Sequence, residues 1–156
     1  MRQIVRTLPL PVIAAGGIVD GEGIAAAMLL GASAVQIGTA YLATPESRIA
    51  APHRAMLGAL HGGETVVTNL FSGREARGLR NMLIDAEGAI RAEAPPFPHA
   101  SAALAPLRAA AEADGRGDYS PMWAGQAAAL VGASGAQDLT ERLGRDALAL
   151  LTGRTE

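Results

Sequence analysis

Cysteine is absent from this 156-residue chain, and so is lysine; all 13 basic residues are arginine. Without cysteine there is no disulfide and no thiolate nucleophile or metal ligand, and the chain is silent on redox compartment. Without lysine there is no P-loop, whose G-x-x-x-x-G-K-[ST] pattern needs that residue at the phosphates. The arginine-only usage reads as coding composition rather than function. Charge of neither sign is in excess: the formal net charge is −2, which gives no reason to expect nucleic acid or an anionic membrane as partner. No apolar run is long enough to span a bilayer and no signal peptide is visible, so the cytoplasm is the expected compartment. Histidine is scarce: His53, His61 and His99 are scattered, form no HExxH or His-x-His pattern, and are expected at surfaces or turns, so no metal site is assigned. No G-x-S-x-G elbow occurs, which removes the signature of a serine hydrolase.

What is there is the composition of a soluble globular protein, 49% hydrophobic and 18% charged, at a length that allows one domain. The stretch Pro11–Thr39 reads as strand, glycine turn, helix and second strand. Pro11–Ala15 is short, apolar and β-capable, and Gly16-Gly17 follows directly. Asp20 is placed to cap a helix with Gly21 and Glu22 in its first turn. Ile24, Ala27, Met28 and Gly31 recur at helical spacing, and Gly31 suits the left-handed position that ends a helix. Ala32–Ile37 is the second strand, closed by Gly38-Thr39.

Two parallel strands joined by a crossover helix make a βαβ unit, and both leave glycines at the carboxyl end, where α/β folds bind ligands. Glycine lets backbone N–H groups approach an anion, and a following helix start adds a favourable dipole. Either pair alone serves equally well as a tight turn. Both together, one helix and one strand apart, favour a phosphate site like the one after the last two strands of a TIM barrel.

Further along, Thr44-Pro45-Glu46-Ser47 is expected to start a helix that runs through Leu60 and stops at Gly62-Gly63. Thr65–Leu70 is β-prone. In Phe71–Asn81, Ser72 and Glu75 stand at capping-box spacing. Arg74, Arg77 and Arg80 would then share a helix face, either as solvated charge or as an anion contact. Pro95–Pro98 reads as an extended linker, Ser101–Asp114 as an alanine-rich helix, and Asp138–Leu151 as a closing helix with Leu139, Leu143, Ala147 and Leu150 in register. Tyr119, Met122 and Trp123 suit packing or the lining of a flat ring. Asp20, Glu22 and Asp118 lie near suggestive segments without pairing for acid–base work. The partial G-x-G at Gly21–Gly23 lies within a helix start and lacks the third glycine of a dinucleotide fingerprint.

IAAGGIVDGEGIAAAMLLGASAVQIGTAYLA resembles the FMN phosphate region of nitronate monooxygenases, formerly 2-nitropropane dioxygenases. ETVVTNLFSGREARGLRN, APPFP and DYSPMWAGQAA resemble that family's C-terminal stretch, so the resemblance runs through nearly the whole chain. It implies an α/β fold: the C-terminal part of a TIM (β/α)8 barrel, its last two βα units, followed by a mostly helical C-terminal segment. Residues 1–60 would be the barrel units with the phosphate loops, and residues 61–156 a mostly helical extension packing on the barrel. A complete barrel takes about 200–250 residues, so the chain would be an incomplete one.

By position, the resemblance puts FMN phosphate on Gly16 and Gly17, with Gln36, Ile37, Gly38 and Thr39 as the second half of the site. Trp123, Gly125 and Gln126 would stand near the mouth of the flavin site. The implied reaction is oxidation of an alkyl nitronate by dioxygen to a carbonyl compound and nitrite. None of the three histidines matches the family's catalytic one, so no catalytic residue is carried over. The chain alone is expected to show little or no turnover; stoichiometric FMN with nitronate-dependent oxygen uptake by the 156-residue protein would overturn this. Open strand edges lead us to expect self-association or pairing with a missing N-terminal part. Alternatives are an NAD(P)H-dependent flavin reductase of the enoyl-ACP or quinone type, separable by which substrate reduces the flavin, and a non-catalytic phosphate- or FMN-binding remnant.

Overall fold

The computed structural model describes residues 1–59 and 65–153. The chain divides into two compact units, residues 1–47 with 130–156, and residues 48–129. The closing helix thus groups with the first strands.

The first unit holds α1 (Arg2–Thr7), β1 (Ile13–Ala15), α2 (Gly21–Leu29), β2 (Ala34–Gln36), α3 (Thr39–Leu42) and α7 (Ala136–Thr152). The expected βαβ unit is present. β1 and β2 pair in parallel, Ile13 opposite Ala34, Ala14 opposite Val35 and Ala15 opposite Gln36. Asp20 caps α2, its carboxylate accepting the Gly23 N–H at 2.8 Å, and Gly31 ends the helix in the left-handed region at φ +97°. Ala14, Ala27 and Ala32 are buried together, with Ile18, Met28 and Val35 packed around them. This core covers one face of the sheet. On the other face Ile13 is 62% exposed, because strand residues alternate in direction and only one face meets a helix.

α7 packs on α2 and buries Leu139, Leu143 and Ala147, positions four apart on one stripe. Leu150, expected in the same register, is 46% exposed. Seventeen residues of α7 face nine of α2, so its last turn runs beyond the shorter helix. The α7 amino terminus has no local cap. Glu46, ninety positions earlier, supplies one: its carboxylate accepts the Ala136 N–H at 3.0 Å. That bond is the main reason the Glu46 carboxyl lies below its ordinary value, and it places a negative charge at the positive end of a long helix. Stability drawn from this contact is complete above the ordinary carboxylate range and lost as pH falls through the depressed folded value. Glu46→Ala is expected to speed amide hydrogen exchange over the first turn of α7 and leave α2 unchanged; equal exchange at Ala136–Thr140 in both proteins would refute the cap.

The second unit contains α4 (Ala51–Gly58), β3 (Thr65–Thr68), β4 (Ala76–Leu79), α5 (Met82–Glu87), α6 (Ala100–Ala113) and a 3-10 turn at Ala128–Leu130. β3 and β4 form an antiparallel hairpin, Thr65 opposite Leu79 through Thr68 opposite Ala76. Buried Leu57, Phe71, Leu79, Ile84, Ala100, Ala111, Met122 and Ala124 belong to this unit. Asn81 ties it together: its side-chain oxygen caps α5 on the Ile84 N–H, and its amide donates to the Gly117 and Ser120 carbonyls at 3.1 Å each.

Three local expectations fail here. Phe71–Asn81 holds a strand rather than a helix. The Ser72 hydroxyl donates to the Arg74 carbonyl in a turn, and pairing with the β-branched run Thr65–Thr68 overrides helix propensity. The three arginines consequently part company. Arg74 stacks over the Phe97 ring at 5.0 Å, Arg77 donates to the Thr65 carbonyl at 3.1 Å, and Arg80 pairs with Asp85. Thr44–Ser47 closes α3 rather than opening a helix, with the Thr44 hydroxyl on the Tyr41 carbonyl, and Pro52 is the proline at the start of α4. Pro95–Pro98 is a turn, not an extended linker. The expected stop at Gly62-Gly63, and Leu60 and His61, lie outside the described residues.

Candidate functional site

The register of the parallel pair decides what the two glycine turns can do. Ala15 stands opposite Gln36 as the last pair of the sheet. Gly16-Gly17 and Ile37-Gly38 therefore leave the same end of adjacent strands, which run about 4.8 Å apart. Gly16 and Gly17 have φ +90° and +72°, a region that side-chain-bearing residues enter at a cost. A Cβ placed on Gly16, Gly17 or Gly38 would meet no heavy atom within 4 Å. The space beside all three is open, and Gly38 passes directly into α3, which begins at Thr39. A phosphate group fits such a place: backbone at the carboxyl ends of two parallel strands, with no side chain in the way.

Of the other predicted residues, Gln36 ends β2 and is exposed, and Ile37 and Thr39 are half-buried. Trp123, Gly125 and Gln126 lie in the second unit. Trp123 bridges Gly78 as an added antiparallel rung beside β4, its indole edge-on to Phe71 with ring centres 6.0 Å apart. The Gly125 carbonyl accepts the Ala128 N–H at 3.1 Å, and Gln126 is exposed. The acids are structural: Asp20 caps α2 and Asp118 pairs with Arg116.

His53, expected at a surface or turn, is 8% exposed. It lies four residues before buried Leu57 on α4, and that helical spacing was the available signal. Burial pushes its imidazole below the ordinary value of 6.5, opposed by a hydrogen bond to the Trp123 backbone. The unfolded chain therefore takes up the proton first as pH falls below 6.5, and stability declines from there down through the folded value. A urea midpoint that falls between pH 7 and 5, and falls less in His53→Leu, is the expected outcome; identical profiles would refute it. His99, by contrast, is exposed at the start of α6.

The fold is α/β, with a βαβ unit whose two parallel strands both run out into glycine-bearing turns at the same end. The family model for nitronate monooxygenase matches residues 1–146, and the chain belongs to that family. It is 48% identical over 122 residues to a nitronate monooxygenase from Pseudomonas aeruginosa, covering 78% of this chain and 35% of that one. A probable nitronate monooxygenase from Staphylococcus haemolyticus is 38% identical over 152 residues, 96% of this chain and 42% of the relative. Among solved structures, nitroalkane oxidase from Streptomyces ansochromogenes superposes with a TM-score of 0.87 at 35% identity, over 99% of this chain and 44% of that one. FabK from Thermotoga maritima gives 0.74 at 28% identity, over 97% and 49%. The chain thus spans less than half the length of these proteins. Its two sheets have two strands each, and no closed barrel is formed among the described residues, none of whose helices is long and apolar enough to cross a membrane.

Proposed function

We propose that this chain supplies the phosphate-binding part of an FMN-dependent enzyme that oxidises alkyl nitronates with dioxygen to carbonyl compounds and nitrite. The observation that carries the reading is the pair of glycine turns at one end of the parallel β1–β2 pair, open on the side where a Cβ would project. Backbone N–H groups of Gly16 and Gly17 would hold the phosphate from β1. Gln36, Ile37, Gly38 and Thr39 would hold it from β2, the Thr39 hydroxyl on a phosphate oxygen. Trp123, Gly125 and Gln126 are carried over from the resemblance as neighbours of the flavin. When bound, FMN supplies the redox chemistry; the residues named here bind and orient it, and none is assigned a proton transfer. Family membership supports the substrate class.

Titration of the chain with FMN and with riboflavin, which lacks the phosphate, tests the cradle. FMN is expected to bind at least tenfold more tightly than riboflavin, because charge-assisted contacts from backbone N–H groups are lost with the phosphate. Equal affinities, or no binding of either, would end the proposal.

A further inference from the structure

We propose that Tyr41 is a positioning residue for the phosphate turn that follows β2, and that it acts by way of α7. That turn opens a run of short backbone bonds. The Gly38 carbonyl accepts the Tyr41 N–H at 3.0 Å and the Leu42 N–H at 3.3 Å, and the Tyr41 carbonyl accepts the Thr44 N–H at 3.2 Å. The Thr44 hydroxyl donates to the same Tyr41 carbonyl at 2.9 Å. Tyr41 is thus bonded through its N–H to Gly38 and through its carbonyl to Thr44. The four residues of α3 are too few to hold a helical course by themselves. Of the four, Ala40 is the buried one, 2% exposed. A single methyl group fixes where α3 sits and leaves its rotation about that point to be set by something else.

α7 supplies the second point. The Thr140 hydroxyl donates to the Ala136 carbonyl at 2.7 Å. A hydroxyl has one proton, so in the 2.7 Å pair between the two hydroxyls Tyr41 donates and Thr140 accepts. The Glu46 carboxylate accepts the Ala136 N–H at 3.0 Å. Tyr41 and Glu46 therefore take hold of Ala136 by both of its backbone groups, Glu46 directly and Tyr41 through Thr140. Hydrogen bonds in series polarise and strengthen one another. The footing is firm, because α7 packs on α2 through Leu139 and Leu143, which are 2% and 5% exposed. Both α2, which joins the two phosphate turns, and α3, which leaves the second, are braced against the same helix. The tyrosine hydroxyl sets the rotation of α3, and with it the setting of the Gly38–Thr39 backbone.

This role rests on the reading of Gly38 and Thr39 as phosphate contacts, so its test compares FMN with riboflavin. Tyr41→Phe removes one hydroxyl from a half-buried ring and leaves Ala40 and the Glu46 cap in place. Thr140→Val removes the acceptor and keeps the β-branched shape, and Thr140→Ser returns the acceptor. We expect Tyr41→Phe and Thr140→Val each to weaken FMN about twofold to tenfold, the loss of one hydrogen bond, with riboflavin affinity unchanged. The double variant is expected to lose no more than either single one, and Thr140→Ser to bind as the unmodified chain does. FMN is expected in turn to slow amide hydrogen exchange across Ala136–Thr140 in the unmodified chain, and less in Tyr41→Phe, because coupling between two sites is reciprocal. A packing role alone would weaken both flavins alike. Equal losses for both flavins, additive losses in the double variant, or an α7 whose exchange ignores FMN would overturn the positioning. Should Thr140→Val fail to fold, Tyr41→Phe and Thr140→Ser decide in the same way. An unmodified chain that prefers FMN, with the same preference kept in Tyr41→Phe, overturns the positioning and leaves the cradle standing. An unmodified chain that binds both flavins equally overturns the cradle and this role with it.

Discussion

Gly73→Ala is expected to lower stability by about 3 kcal/mol or more, combining a left-handed backbone with an overpacked contact. Gly73 has φ +81°, and a Cβ there would stand 2.3 Å from the Pro95 carbonyl oxygen and 2.4 Å from the Phe97 backbone nitrogen. Both obstacles are main-chain atoms, so no change of rotamer relieves them. The turn after β3 and the proline-rich turn before α6 would have to separate, breaking the Arg74–Phe97 stacking on the way. Gly115→Ala is the control. Gly115 has φ +73° with nothing within 4 Å of a Cβ, so it bears the backbone strain alone, about 1–2 kcal/mol. Urea unfolding of the two variants separates strain from contact. Equal midpoints would remove the contact from the account.

Gly38→Val is expected to reduce FMN affinity at least tenfold, about 1.4 kcal/mol, with little change in stability. Its backbone, φ −111° and ψ −67°, lies on the side open to ordinary residues, and a Cβ there meets nothing. Substitution at such an exposed place is usually within about 0.5 kcal/mol. Two methyl groups branching at Cβ would occupy the space beside Gly16-Gly17 that the phosphate is proposed to fill. Titration with FMN, with riboflavin beside it, gives the answer. A loss seen for FMN and not for riboflavin places the obstruction at the phosphate. An unchanged FMN affinity in the folded variant would move the cradle elsewhere.

Much of this arrangement was legible because it is local. Asp20 caps the helix it precedes, Gly31 ends it, and Leu139, Leu143 and Ala147 share one buried stripe; each depends on neighbours within a few residues. The readings that failed depend on distant partners. Ser72 and Glu75 have capping-box spacing, yet the segment pairs with Thr65–Thr68 and becomes a strand. Glu46, expected inside a helix start, instead caps a helix ninety residues later. His53 carried no metal-site or surface pattern that distinguished it, and only its spacing to Leu57 hinted at burial.

By itself the sequence determined the βαβ order, the placing of a glycine turn after each strand, and the family. Periodicity, caps and glycine turns are properties of a few adjacent residues, so they survive without knowledge of the fold. Tertiary structure alone decided that Ala15 pairs with Gln36, which sets the two glycine turns side by side, and that His53 is buried. Register and long-range contact are settled by which faces bury together. That choice is made between elements, where no single stretch of sequence contains both partners.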